Sequence, residues 1–208
     1  MVRPGDTIQN PVTGERIVFL ATSRQTRGEA VVIETQVEPG GFVAAAHVHP
    51  SQEERFSVLE GSVGFKVGRE KLLTGPGDVL VVPAGTPHRF WNAGDGVARF
   101  VCDIRPALQF ESLLETMFAL AEAGMTNRKG MPGLLSLAVI ADAHFDTVRL
   151  PFPPALVQRM GLAVAAPLGR ALGMSRGLDG GSQRAEAPAW PATERGRARP
   201  RSATTSRP

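Results

Sequence analysis

Over residues 14–106 the apolar positions come in short runs, several of them alternating with polar ones, and Gly, Pro and Asp punctuate the runs. Runs of this kind, rich in Val, Ile and Phe, predict strands rather than helices. The pattern places strands over 16–21, 29–37, 42–48, 54–59, 62–67, 71–73, 79–82, 88–91 and 98–104. Many short, closely spaced strands predict an all-β sandwich or barrel. After Pro106 the period changes. Phe110, Leu113, Leu114, Met117, Phe118 and Ala121 fall on one helical stripe, Glu111, Glu115 and Glu122 lie off it, and Gly124 stands ready as a terminator. This predicts an amphipathic helix over 108–123. A second, more apolar helix is predicted over 132–143 and a third over 154–173, interrupted by Pro167. The apolar stretch 160–169 lies between Arg159 and Arg170 and is too short to cross a bilayer. It reads as a helix packed on the barrel or on a partner subunit.

Charge divides the chain in a different place. Of the 208 residues, 175–208 hold seven arginines against three acids, leaving 16 basic and 17 acidic groups in the other 174. The net charge of +3 therefore belongs to the end of the chain, and the body is close to neutral. An Arg/Pro/Ala/Ser/Thr segment with so little apolar content predicts a disordered basic tail. The organisation expected is thus a β-barrel over 1–106, a helical extension over 107–174 and a tail over 175–208. A near-neutral body argues against a specific nucleic-acid-binding domain. No signal peptide is expected at Met1–Asp6, and no apolar run is long enough for a membrane span. The one cysteine, Cys102, excludes an internal disulfide and fits a reducing cytoplasm; within its apolar run it reads as a small packed hydrophobe.

Candidate chemistry gathers on the histidines, of which there are four. His47 and His49 are two apart on a predicted strand, so both point to one face while Val48 points away. Glu54 follows a Pro50-Ser51 turn, and a hairpin there would bring its carboxylate back beside the two imidazoles. His88 opens a later strand after the turn-forming Pro83-Ala84-Gly85-Thr86-Pro87. Three imidazoles and a carboxylate suit Fe, Mn, Ni, Zn or Cu and leave coordination positions open. With so few histidines in the chain, three at these positions are not a compositional accident. Alternation turns Glu53 outward if Glu54 points in, and it sends Phe56 and Phe90 toward the same interior as candidate pocket walls. His144, in Asp142-Ala143-His144-Phe145, reads as a surface or helix-end histidine favoured by the helix dipole. It does not share a helix face with Asp142. No nucleophilic triad or phosphate-binding loop can be assembled, and the chain has no tyrosine.

The two motifs read G-x5-H-x-H-x4-E-x6-G over Gly41–Gly61 and G-x5-P-x-G-x2-H-x3-N over Gly77–Asn92. In that order they resemble the two signature motifs of the cupin superfamily, with every defining position present. The resemblance covers roughly 14–106. It implies a double-stranded β-helix (jelly-roll) barrel, here followed by about three α-helices, and the ligand set His47, His49, Glu54 and His88 for a divalent transition metal. It also implies a small-molecule ligand or substrate. Of the reactions such barrels host, a dioxygenase-type oxidation of a small chelating substrate is the expectation. A non-redox Lewis-acid isomerase or cyclase, and a non-catalytic binding protein acting as a sensor or pathway accessory, are the alternatives. A homodimer is expected through the helical extension.

Overall fold

The computed structural model describes residues 1–174; the expected tail lies outside the described residues. Nine strands precede three helices: β1 Thr7–Asn10, β2 Glu15–Ala21, β3 Val31–Val37, β4 Glu53–Glu60, β5 Val63–Val67, β6 Glu70–Thr74, β7 Val79–Val82, β8 His88–Asn92 and β9 Ala98–Arg105, then α1 Phe110–Glu122, α2 Leu134–Ala143 and α3 Ala155–Ala171. They form a six-stranded antiparallel sheet in the order β1-β2-β3-β9-β4-β7 and a three-stranded sheet β6-β5-β8. The non-sequential order, with β9 between β3 and β4, is that of a jelly roll rather than a meander. Alternation on β3 and β9 turns Val31, Ile33, Thr35 and Val37, and Ala98, Phe100, Cys102 and Ile104, to the interior. Phe56, Phe65, Phe90 and Phe100 interlock there, with ring centroids 5.0 Å apart for Phe56 and Phe65 and 5.1 Å for Phe90 and Phe100.

The expected strands are corrected in two places. A first strand, β1, precedes those predicted; it pairs with β2 through Thr7↔Val18 to Asn10↔Glu15, and its four residues are too short to show a period. The strand expected over 42–48 is not a regular one. Its amides go to different partners, Phe42 N–H to Thr13 O, Val43 N–H to Phe90 O and His47 N–H to His88 O, with bends at Ala44 and Ala45. Alternation survives locally at His47, Val48 and His49, which is all the site requires.

The apolar stripe of α1 has to be buried somewhere. It packs on its own barrel, where Phe110 and Phe118 join the core and Leu114 and Met117 lie against it. α2 and α3 pack on each other closely enough that a Cβ on Gly169 would lie 2.9 Å from Leu135 O. Pro167 does not interrupt α3, which runs through it. After α2 the chain returns to the barrel: Val48 N–H donates to Arg149 O (2.8 Å) and Arg149 N–H to Val48 O (2.9 Å). That return puts the extension beside the histidine pair.

Candidate metal centre

His47, His49, Glu54 and His88 converge in the barrel interior, each offering one donor atom, with all four atoms within 4.8 Å of one another. Donors on one ion with bonds of about 2.0–2.2 Å lie roughly 3–4 Å apart, so small side-chain adjustments would bring the set onto one ion. Glu54 is buried and Glu53 exposed, as alternation required. Gly85 ties the two halves together: its N–H donates to His49 O at 2.8 Å, and its φ of 78° lies in the left-handed region that favours glycine.

Each imidazole is oriented through Nδ1. His47 Nδ1 bonds Ala45 O at 2.9 Å, His88 Nδ1 bonds Thr86 O at 3.0 Å, and His49 Nδ1 bonds Thr147 O at 2.7 Å. A carbonyl oxygen only accepts, so Nδ1 carries a hydrogen in all three rings, and Nε2 presents a lone pair wherever the ring is neutral. His49 Nδ1 also meets Gln52 Oε1 at 3.1 Å, while Gln52 Nε2 donates to Pro106 O and Ala107 O at 2.8 and 3.1 Å. Those two acceptors fix which way the Gln52 amide faces.

What the Nε2 atoms face is the test of fit. His49 Nε2, His88 Nε2 and Glu54 Oε2 are buried without a well-directed hydrogen bond. Yet His88 Nε2 lies 2.6 Å from Glu54 Oε2, and His49 Nε2 lies 3.7 Å from Glu54 Oε1. Two lone pairs at 2.6 Å repel, so without a metal the pair shares a proton, which an ion would have to displace. In number and chemistry the four gathered donors fit a divalent ion. Electrostatics agree. Burial, reinforced by His88 and His49, pushes His47 down to about 3. Burial acts to raise Glu54, but the three imidazoles override it and hold the carboxyl at about 2. Burial likewise acts against charging His88, and the contact with Glu54 outweighs it, so His88 is raised above its ordinary value.

Beside the cluster is a cavity of about 500 Å³ lined almost wholly by apolar side chains. The barrel contributes Phe56, Phe90, Phe100 and Cys102, and the extension contributes Phe110, Leu113, Met117, Phe145 and Val148. Phe56 and Phe90 thus stand in the wall expected of them. Cys102 Sγ is 3.9 Å from Glu54 Oε1, and burial followed by the Glu54 charge pushes its thiol well above the usual range, so it is a neutral wall group. His144 is not in the cluster. It caps α2, as a helix-end histidine should, but it is buried rather than on the surface, and burial lowers its pKa.

Sequence reasoning missed four cavity or support residues. Gln52 shares the inward face with Glu54 by simple alternation, so its signal was present. Glu15 and Thr35 were legible as inward positions on β2 and β3, where both line the cavity. Thr147 had no signal, because it supports His49 from 98 residues away in a segment without a period.

Comparison with known proteins gives a consistent picture. Residues 33–103 match a family model described as Cupin domain. An uncharacterized protein of Methanocaldococcus jannaschii is 30% identical over 88 residues, which are 42% of this chain and 66% of that one. A probable oxidoreductase of Hypocrea virens is 43% identical over 47 residues, 22% of each chain. The chain thus spans less than two thirds of the length of either curated relative. Among solved structures, a predicted oxalate decarboxylase from Thermotoga maritima aligns with a TM-score of 0.46 at 20% identity, over 51% of this chain and 98% of that one.

Proposed function

We propose, on the premise that residues 33–103 are a cupin domain and the chain a member of the cupin superfamily, that the protein is a metal-dependent enzyme acting on a small chelating substrate. The reaction we favour is a dioxygenase-type oxidation. The single observation that carries the reading is the orientation of the rings: all three are held through Nδ1, and two of them, His49 and His88, turn Nε2 toward the buried Glu54 carboxylate. His47, His49, Glu54 and His88 would hold the ion. When bound, a divalent transition metal supplies Lewis-acid polarisation of the substrate and, for Fe, Mn, Ni or Cu, one-electron chemistry.

The protein's own groups do the rest. Phe56, Phe90 and Phe100 on one side and Leu113, Met117 and Phe145 on the other would hold an apolar substrate body and exclude water. Glu54, kept ionised by its imidazole neighbours, sets the charge at the centre. Apart from Glu54, no carboxylate, lysine or tyrosine stands within that donor cluster among the described residues, which favours chemistry centred on the metal over a proton relay.

The test is reconstitution with Fe(II), Mn(II) or Ni(II), followed by an oxygen-electrode screen of chelating diketones, flavonols and thiols. Oxygen uptake that disappears in Glu54→Gln supports the reading. Ligand binding with no turnover in the fully metallated protein would replace it with a binding protein.

Two finer points are part of the proposal. Leu156, Met160, Val164 and Leu168 repeat every fourth residue on α3 and are all more than half exposed, with Phe152 beside them. Apolar surface of that extent is uncommon on a monomer, and a second copy of the chain across a two-fold axis would cover it. Light scattering of Val164→Glu against the unaltered protein checks this. No described helix is long and apolar enough to cross a membrane, and a reducing cytoplasm is the setting we propose.

A further inference from the structure

The cavity has a second polar pole away from the histidines. Glu15 at the start of β2 and Thr35 on β3 face the interior on adjacent strands, through the pairings Glu15↔Val37 and Ile17↔Thr35. Both line the cavity and both are buried, Glu15 to 7% exposure and Thr35 to 1%. Glu15 Oε2 accepts from Thr13 Oγ1 at 2.7 Å, and no cation pairs with it among the described residues. Thr35 Oγ1 has no hydrogen-bond partner at all among them. A buried hydroxyl without a partner costs roughly 1–3 kcal/mol, and a buried carboxyl without a cation adds to that. In a cavity lined mostly by apolar groups, such a cost is the mark of a site that something else completes.

Register gives the separation. Thr35 pairs with Phe100, which pairs with Val58, four residues along β4 from Glu54. At about 3.3 Å per residue the hydroxyl stands about 13 Å along the strands from the Glu54 row, and Glu15 stands farther still. That is the length of roughly two linked six-membered rings, and such a body fits the cavity of about 500 Å³.

We propose that Glu15 and Thr35 form a second anchor that takes an uncharged hydroxyl or carbonyl group at the far end of an elongated, otherwise apolar ligand. The anchor rests on the reading of the cavity as a ligand site, and it requires nothing of the metal. Thr35 Oγ1 donates or accepts, and the Glu15 carboxyl, which burial raises to about 7 against the Thr13 hydrogen bond, supplies a donor when protonated. A ligand carboxylate at this end is disfavoured because it would meet a second acidic group that has no ion-pair partner among the described residues.

The test uses the full chain freed of metal with a chelator, and two probes that differ by one group and cannot chelate: 4-phenylphenol and 4-methylbiphenyl. Calorimetry gives the ratio of their dissociation constants in the unaltered protein and in Thr35→Val, Glu15→Leu and Glu15→Gln. The preference for the phenol is expected to fall about tenfold in Thr35→Val and in Glu15→Leu. It should be retained in Glu15→Gln, whose amide still hydrogen-bonds. Both probes binding with a ratio unchanged across all four proteins would overturn the anchor while leaving the cavity a ligand site. Binding of neither probe to the unaltered protein would overturn the anchor together with the cavity reading. The metal assignment stands apart from either result, because metal content is measured separately.

Discussion

His47 and His88 are held by the barrel, and His49 is held by the helical extension. The first two rings bond carbonyls two residues back along the chain, Ala45 O and Thr86 O, so segments of the barrel itself orient them. The third bonds Thr147 O beyond α2, and its other contact, Gln52, is itself held by Pro106 O and Ala107 O where the barrel ends. Local geometry can orient two of the candidate ligand rings; the third depends on tertiary structure outside the motifs. The candidate centre is thus tied to the extension through His49.

The largest expected effect comes from breaking that tie. Ending the chain at Pro106 removes Thr147, uncovers the apolar cavity and strips α1 from the core, where Phe110 and Phe118 are buried. The product should be insoluble or aggregated, as judged by gel filtration and light scattering. A soluble, monomeric, metal-loaded 1–106 fragment would show that the extension is dispensable.

A narrower break leaves the helices in place. Gln52→Leu keeps the volume but removes the contact to His49 and leaves two buried carbonyls without their donor. Metal affinity should fall roughly 10- to 100-fold, as for other groups that orient a ligand ring, with a loss of about 1–3 kcal/mol in stability. Competition with a chromophoric chelator and thermal melts measure the two. A change in melting temperature without a change in affinity would mean that Gln52 is structural alone.

This contrast also explains what could be read from the sequence. What alternates regularly was legible: the alternation that buries Glu54 and exposes Glu53, the inward positions of Phe56 and Phe90, and the stripe of α1. A four-residue β1 carries no period, and 42–48 looks like a strand because its apolar content is right while its hydrogen bonds go elsewhere. The dipole argument for His144 considered the helix end alone, and burial outweighs it. Thr147 acts through its backbone carbonyl, a group that every residue has, so no residue type could have announced it.

Acid should separate the ligands from one another. His88 is raised and paired with Glu54, so a metal ion must displace the proton that the pair holds, whereas His47, at about 3, has none to lose near neutrality. Conditional affinity should fall as pH drops, up to about tenfold per unit, with onset above the ordinary histidine range near 6.5. Affinity that stays flat down to about pH 3, where His47 titrates, would show that His88 is not a ligand.

The smallest effect lies at the other end of the cavity. Folded Glu15 holds its proton up to about pH 7 while the unfolded chain releases it near 4.5. Its burial therefore costs nothing below 4.5, costs progressively more as pH rises, and levels off above 7. Glu15→Gln should raise the melting temperature by a few degrees at pH 8 and by less at pH 4.5. Equal shifts at both values would indicate that Glu15 reaches solvent.

Metal stoichiometry is the most direct test of the centre. Elemental analysis of the full chain after reconstitution should give close to one divalent ion per chain. His47→Ala, His49→Ala and His88→Ala should each lose most of it, and His144→Ala should match the unaltered protein. Full metal content in His88→Ala would contradict the account.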